Sequence, residues 1–98
     1  MEKVIVDITK HVGWDKHVYY SYGTKEHGAI AELDEPNHLT NTSRVWSMKN
    51  HGYGFNFKEF DNWFDSVTFV QRYVTYYLTH KTGCKNVVFR RKRGRAVK

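Results

Sequence analysis

Cysteine, proline and long apolar runs are almost absent from this chain. Its 98 residues include one cysteine, Cys84, and one proline, Pro36. A single cysteine cannot form an internal disulfide, and no run approaches the ~20 apolar residues that span a bilayer. The first residues also lack the charged, apolar and small-residue succession of a secretory signal. These absences predict a reducing, cytoplasmic setting and no membrane partner.

Aromatic residues, by contrast, are abundant. Phe, Tyr and Trp make up 16% of the chain, and each of them buries a large area at a small cost in side-chain entropy. This composition argues for a folded core and against a disordered chain. At 98 residues, the chain is long enough for one core, and we expect a single α+β domain over residues 1–98.

Positive charge is concentrated at one end of the chain. Residues 81–98 hold eight basic and no acidic residues, whereas residues 1–80 hold eight basic and ten acidic ones, so the two parts carry +8 and −2. The densest cluster runs from Arg90 to Arg95 in a predicted basic strand and tail, 84–98. Such a cluster can neutralise several phosphates of a nucleic acid. An edge strand can also carry charge simply to avoid aggregation.

The stretch 55–80 has apolar and aromatic residues at helical spacing, and we expect the rest of the chain to be arranged around it. Val70 and Val74 lie one turn apart on an aliphatic stripe. Tyr73 and Tyr76 belong to an adjacent aromatic stripe. Because apolar side chains cover more than half of its circumference, this helix is predicted to be the core element.

Short polar residues and glycines mark the ends of the predicted helices. A side-chain oxygen of Asp65 or Ser66 is expected to cap the main helix, and Gly83 is expected to end it. Two shorter helices are predicted, one from about residue 42 to residue 49 and one over residues 57–64.

β-Branched residues and alternation predict four strands. Three of these occupy the N-terminal part of the chain, at residues 1–10, 16–22 and 29–33. The fourth covers residues 85–91 and carries the start of the basic cluster. The expected fold is therefore a small antiparallel sheet packed on one long aromatic helix.

The six histidines do not show the spacing of a metal site. No pair lies at i, i+3 or i+4 on a predicted helix, and the sequence contains neither HExxH nor CxxC. A site assembled from His17 and His27 across a hairpin stays open. We expect no bound metal and no cofactor. The histidines are His11, His17, His27, His38, His51 and His80.

No catalytic arrangement emerges from the remaining residues. Cys84 and His80 resemble a nucleophile and its base, but Gly83 ends the helical face that would bring them together. Asp61 and Asp65 are spaced like an acid–base pair, and the preference for acids near a helix N-terminus explains them more simply. The chain is therefore predicted not to be an enzyme.

Small hydrogen-bonding residues fill the run NHLTNTSRVWSM, residues 37–48. Most simply, they cap a helix and form a turn. Followed by FKEFDNWFDSVTFVQRYVTYYL and a basic strand, the run resembles a pattern in short phage and bacterial proteins of unknown function. The resemblance covers about the C-terminal two-thirds of the chain and implies an origin in a phage or another mobile element, hence the host cytoplasm. It implies no activity.

The function predicted from these patterns is binding. The favoured partner is a nucleic acid or a nucleoprotein complex, held by the basic segment and by tyrosines that can stack on bases. The alternative is a phage-encoded inhibitor that binds and blocks a host protein through the same arginines and aromatics. The oligomeric state stays open. The predicted contact residues are Lys85, Arg90, Arg91, Lys92, Arg93, Arg95, Tyr73 and Tyr76.

Overall fold

The computed structural model describes residues 2–37, 41–49 and 57–92, which form an α+β fold with one mixed sheet and one helix. None of the helices in these ranges is long and apolar enough to cross a membrane. The elements in chain order are β1 Val4–Val12, β2 Val18–Thr24, β3 Gly28–Asp34, β4 Ser43–Ser47, β5 Phe57–Phe60, α1 Trp63–Thr82 and β6 Val87–Lys92.

The sheet has the strand order β5-β4-β3-β2-β1-β6. The first five strands form an antiparallel meander, whereas β6 lies parallel to β1. The α+β class is confirmed, but the prediction of a four-stranded antiparallel sheet was wrong. A short turn joins only antiparallel strands. The chain reaches β6, on the far side of β1, through a helical crossover, and this longer connection allows the two strands to be parallel.

The length of α1 explains how the chain makes this crossover. The helix has 20 residues and is therefore ~30 Å long. Five spacings between neighbouring strands amount to ~24 Å, so α1 can carry the chain from the β5 edge of the sheet to the β6 edge. This connection places the C-terminal strand at an outer edge.

One face of the sheet and one face of α1 form the core. Val70 and Val74 of the helix are fully buried against Leu33 and Val45 of the sheet, and Tyr77 is almost fully buried. The aliphatic stripe was thus correctly predicted. The aromatic stripe divides, because Tyr73 is 6% exposed and Tyr76 is 58% exposed.

The ends of α1 show one correct and one incorrect prediction. Gly83 ends the helix in the left-handed conformation, φ 75°, and its N–H donates to the Thr79 carbonyl. The N-cap is Asn62, whose side-chain oxygen accepts hydrogen bonds from the N–H groups of Phe64 and Asp65. Asp65 and Ser66 therefore lie inside the first turn, and the helix begins three residues earlier than the predicted cap implied.

The predictions of the two shorter helices were wrong, because residues 43–47 form β4 and residues 57–60 form β5; only Trp63 and Phe64, at the end of the second, are helical, as the start of α1. In β4, Val45 is buried against the core while Trp46 points to the opposite face. This alternation has period two, as expected for a strand. The neighbouring polar residues resemble helix caps, and that resemblance led to the helix prediction. In β5, Phe57 contacts the Trp46 ring with 4.4 Å between centroids. Four-residue strands are too short for their periodicity to stand out in a sequence.

Candidate functional site

Strand β6 forms the outer edge of the sheet next to β1. Its residues pair in register from Val4 opposite Val87 to Thr9 opposite Lys92. On its other side, β6 pairs with no strand of the described ranges. The basic segment predicted from the sequence is therefore an edge strand, with one row of backbone groups directed away from the sheet.

The side chains of β6 alternate between the two faces of the sheet. Val87 and Phe89 pack on the core side, where the Phe89 ring meets Tyr22 edge-on at 6.1 Å. Arg91 shares their side by alternation. Val88, Arg90 and Lys92 project from the opposite, helix-free face, which we call the open face.

Arg90 makes an ion pair on the open face. Its guanidinium lies 2.8 Å from a carboxylate oxygen of Asp7, its register partner on β1, and its Nε donates to the same oxygen at 3.0 Å. The Arg90 side chain is 59% exposed, and an exposed pair of this kind contributes at most ~1 kcal/mol. Part of the Arg90 charge is nevertheless neutralised within the protein.

Arg91 lies on the helix side, at a small cleft of about 280 Å³ that is also lined by Tyr20 and Tyr22. Burial raises the pKa of Tyr22 to about 12, and the nearby Arg91 charge opposes this rise. Burial, followed by the hydrogen bond that the Tyr20 hydroxyl donates to Glu35 at 2.5 Å, raises the pKa of Tyr20 to about 12. Both phenols therefore stay neutral near pH 7, and Arg91 keeps its charge at the surface.

A shallow groove runs between α1 and the outer edge of β6. Its volume is about 570 Å³. The Phe89 side chain lines it on the strand side, while Tyr76 and Arg72 line it on the helix side. The Tyr76 ring stacks on His80 with 6.0 Å between centroids. Threonines and a glutamine complete the lining: Thr68, Gln71, Thr75 and Thr79.

The structure brings most of the predicted contact residues together. Arg90, Arg91 and Lys92 are consecutive and exposed on β6, and Lys85 is exposed just before it. Tyr76 lies across the groove from Phe89. We call β6 together with Arg72 and Tyr76 the basic edge. Arg93 and Arg95 lie outside the described residues.

Tyr73 does not belong to this surface. It is 6% exposed, and its hydroxyl lies 2.6 Å from the Ser47 hydroxyl on β4. The prediction that Tyr73 is exposed was wrong, because the helix turns this side of its aromatic stripe toward the sheet. The hydroxyl is satisfied inside the core by a strand that the sequence did not reveal.

The open face also carries a polar cluster that sequence reasoning missed. Asp34 is 8% exposed and accepts a hydrogen bond from the Trp46 indole N–H at 3.0 Å. The Arg44 guanidinium and the His17 imidazole each lie 3.8 Å from its carboxylate. Burial raises the pKa of Glu32, the Asp34 charge raises it further, and two histidines oppose the rise. Recognising this cluster required knowing that Arg44 and Trp46 lie on a strand beside Asp34.

The histidines are dispersed over the described part of the chain. His17 precedes β2 and His27 follows it, so about 20 Å of strand separate them. The hairpin site assembled from these two residues is therefore excluded. His11 contacts the Ser21 hydroxyl at 2.9 Å and stacks on Tyr19. No group of three potential metal ligands occurs within 2–37, 41–49 and 57–92, and His38 and His51 fall outside these ranges.

Cys84 and His80 occupy different environments. The Cys84 thiol is buried beside the core and lies 3.7 Å from the Asn86 carbonyl oxygen, to which it donates. His80 is exposed near the end of α1. Burial in apolar surroundings makes a thiol structural and unreactive.

Comparisons with protein-family models, with curated proteins and with solved structures found no match. Function must therefore be inferred from the geometry of the chain itself.

Proposed function

We propose that this chain is a small non-enzymatic binding protein that contacts its partner through the basic edge. Three consecutive exposed cations, Arg90, Arg91 and Lys92, lie on a strand whose outer side pairs with no described strand. This juxtaposition of charge and unused backbone at one edge is the observation that carries the proposal. Cation-rich edges attract acidic partners and increase the rate of encounter.

A protein partner fits this edge better than a nucleic acid does. On the open face, Asp7 lies beside β6, and Glu32 and Asp34 lie on β3, three strands away, so a phosphate backbone laid across the sheet would meet carboxylates as well as cations. Asp7 already pairs with Arg90. The groove beside Phe89 offers apolar contacts, and the outer backbone of β6 offers hydrogen bonds. A phosphate backbone does not use these contacts. We therefore propose a protein target, in line with an inhibitor that blocks a host protein.

The phage or mobile-element origin, and with it the host cytoplasm as the place of action, remains a prediction. It rests on the resemblance of residues 37–48 and the following segment to short phage and bacterial proteins. Cytoplasmic action fits the buried, unpaired thiol of Cys84, because a reducing compartment preserves it.

Nucleic acid, alone or in a nucleoprotein complex, is the second candidate. The observation in its favour is that Arg91 and Lys92 point to opposite sides of one edge, with the 58% exposed Tyr76 nearby on α1. A strand of nucleic acid running along the edge itself, rather than over the open face, would meet both cations and a stacking ring. For a single strand, a plot of the logarithm of the affinity against the logarithm of the salt concentration would have a slope of about −0.7 per contacted phosphate.

Affinity capture from the native host, with and without nuclease, tests the proposed function. The informative variant is the double charge reversal Arg91→Glu with Lys92→Glu. The control is the single charge reversal Lys49→Glu, two residues after the end of β4, which lies four strands from β6. We expect the edge variant to lose a nuclease-resistant protein that the control retains.

Two results would count against this proposal. Equal capture by the edge variant and by the Lys49→Glu control would show that the basic edge is not the contact surface. Loss of all captured material after nuclease treatment would replace the protein partner by a nucleic acid.

A further inference from the structure

The backbone of β6 offers an alternating set of hydrogen-bonding groups that pair with no strand of the described ranges. The Val4 N–H donates to the Asn86 carbonyl at 2.9 Å, so Asn86 directs its backbone toward β1. In a parallel pair every second residue does the same. Val88, Arg90 and Lys92 therefore bond to β1, whereas Val87, Phe89 and Arg91 direct their N–H and C=O groups to the outside of the sheet.

The groove beside β6 lies where the side chains of a further strand would go. A strand added at the edge would run ~4.8 Å beyond β6, next to the helix residues that line the groove. Every second side chain of such a strand would enter the groove between Phe89 and Tyr76. The groove is lined by these two rings and by threonines, which suits a small or β-branched apolar side chain.

The charged residues around the basic edge indicate which polar side chains an added strand would carry. On the open face, Arg90 and Lys92 border the position of the next strand, and on the helix side Arg72 lines the groove while Arg91 lies at the neighbouring cleft beside Tyr20 and Tyr22. Among the residues that the structure describes, no carboxylate lines the groove. The tightest binding is therefore expected for a segment in which acidic residues alternate with apolar ones, so that the acidic side chains face Arg90 and Lys92.

We propose that β6 accepts an extended acidic–apolar segment of a partner protein as a seventh strand of the sheet. This inference rests on the proposed function, which names the same edge, and adds the mode of recognition. Backbone pairing would supply affinity, and the alternation of acidic and apolar side chains would supply specificity.

A pair of substitutions at one position separates backbone pairing from charge. Arg91→Pro removes the outward N–H together with the charge, whereas Arg91→Ala removes only the charge. Proline is tolerated at an edge strand when its missing N–H faces outward, so both variants should fold. The probe is a blocked, fluorescently labelled decapeptide of alternating glutamate and valine. Its controls are alternating lysine and valine, and alternating glutamate and proline.

We expect Arg91→Pro to bind the glutamate–valine peptide about ten-fold more weakly than Arg91→Ala does, the loss of about one net hydrogen bond. Both control peptides should bind at least ten-fold more weakly to the wild-type chain. Equal affinities of Arg91→Pro and Arg91→Ala would overturn the added strand. Because this comparison concerns pairing, it can fail while the charge-reversal capture experiment succeeds.

Amide exchange in the wild-type chain tests the same inference without any variant. The glutamate–valine peptide should slow exchange at Phe89 and Arg91 by about ten-fold or more and leave Val88 and Arg90 nearly unchanged. Uniform slowing along β6, or slowing only at side-chain contacts in the groove, would overturn strand addition. Protection by a single-stranded oligonucleotide but not by the peptide would also overturn it, in favour of nucleic acid.

Discussion

Replacing Val70 by aspartate tests the packing that holds α1 on the sheet. Val70 is fully buried in the core. Val70→Asp forfeits the burial of a valine side chain, worth ~1.5–3 kcal/mol, and places a carboxyl inside the hydrophobic core. Burying it without a partner costs a further ~1–3 kcal/mol. Together these losses approach the whole stability of an ordinary small domain, ~5–15 kcal/mol.

The matched control is Thr68→Asp, on the exposed side of the same helix. It introduces the same residue at an exposed position in the second turn of α1. Urea and thermal unfolding followed by the helical circular dichroism signal should show that Val70→Asp loses ~3–5 kcal/mol. The corresponding fall in Tm is at least about 12 °C. Thr68→Asp should stay within ~0.5 kcal/mol of the wild type.

The pH dependence of the Val70→Asp variant provides an internal check. Burial raises the pKa of a carboxyl, so the folded state holds its proton more tightly than the unfolded state does. The loss of stability should therefore be smallest below pH ~4 and should grow as pH rises through neutrality. Similar unfolding curves for Val70→Asp and Thr68→Asp at pH 7 would refute the buried position of Val70 and the helix–sheet core built on it.

Three further substitutions test other parts of the structure. Gly83→Ala should cost ~1 kcal/mol in urea unfolding, because φ is 75° at this position, and an unchanged midpoint would contradict the left-handed helix end. Tyr73→Phe should lose ~0.5–1.5 kcal/mol, the net contribution of its hydrogen bond to the Ser47 hydroxyl, because Ser47 still donates to the Lys49 carbonyl. It should leave peptide affinity unchanged, whereas reduced affinity would return Tyr73 to the contact surface. Glu32→Gln should raise stability at pH 7 and change it little near pH 4, because burial raises the folded-state pKa of Glu32 and its charging costs stability as pH rises. Stability curves of wild type and Glu32→Gln that stay parallel from pH 4 to pH 7 would contradict that reasoning.

The sequence predicted the long elements better than the short ones. The helix and its end at Gly83 follow from a sustained period of 3.6 residues and from a glycine suited to positive φ. The bounds of the first three strands were predicted to within three residues, since β-branched alternation is plain there. β4 and β5 have five and four residues, too few for period two to outweigh cap-like polar residues.

For the candidate site, too, the sequence reveals the features that neighbouring residues form and not those that depend on the fold. Clustered charge at Arg90–Lys92 is a property of neighbouring residues, so the sequence reveals it directly. That these residues lie at an edge depends on the crossover by α1. Likewise, the contact between Trp46 and Asp34 joins residues 12 apart in two paired strands, and the burial of Tyr73 depends on Ser47. None of these relations is encoded in local spacing.

Amide hydrogen exchange along β6 in the free protein is the most direct test, because strand addition at the basic edge requires an unpaired outer side. The prediction is an alternating pattern, with slow exchange at Val88, Arg90 and Lys92 and fast exchange at Val87, Phe89 and Arg91. Slow exchange at all six amides of the free monomer would show that the outer side of β6 is already paired, and would contradict the account.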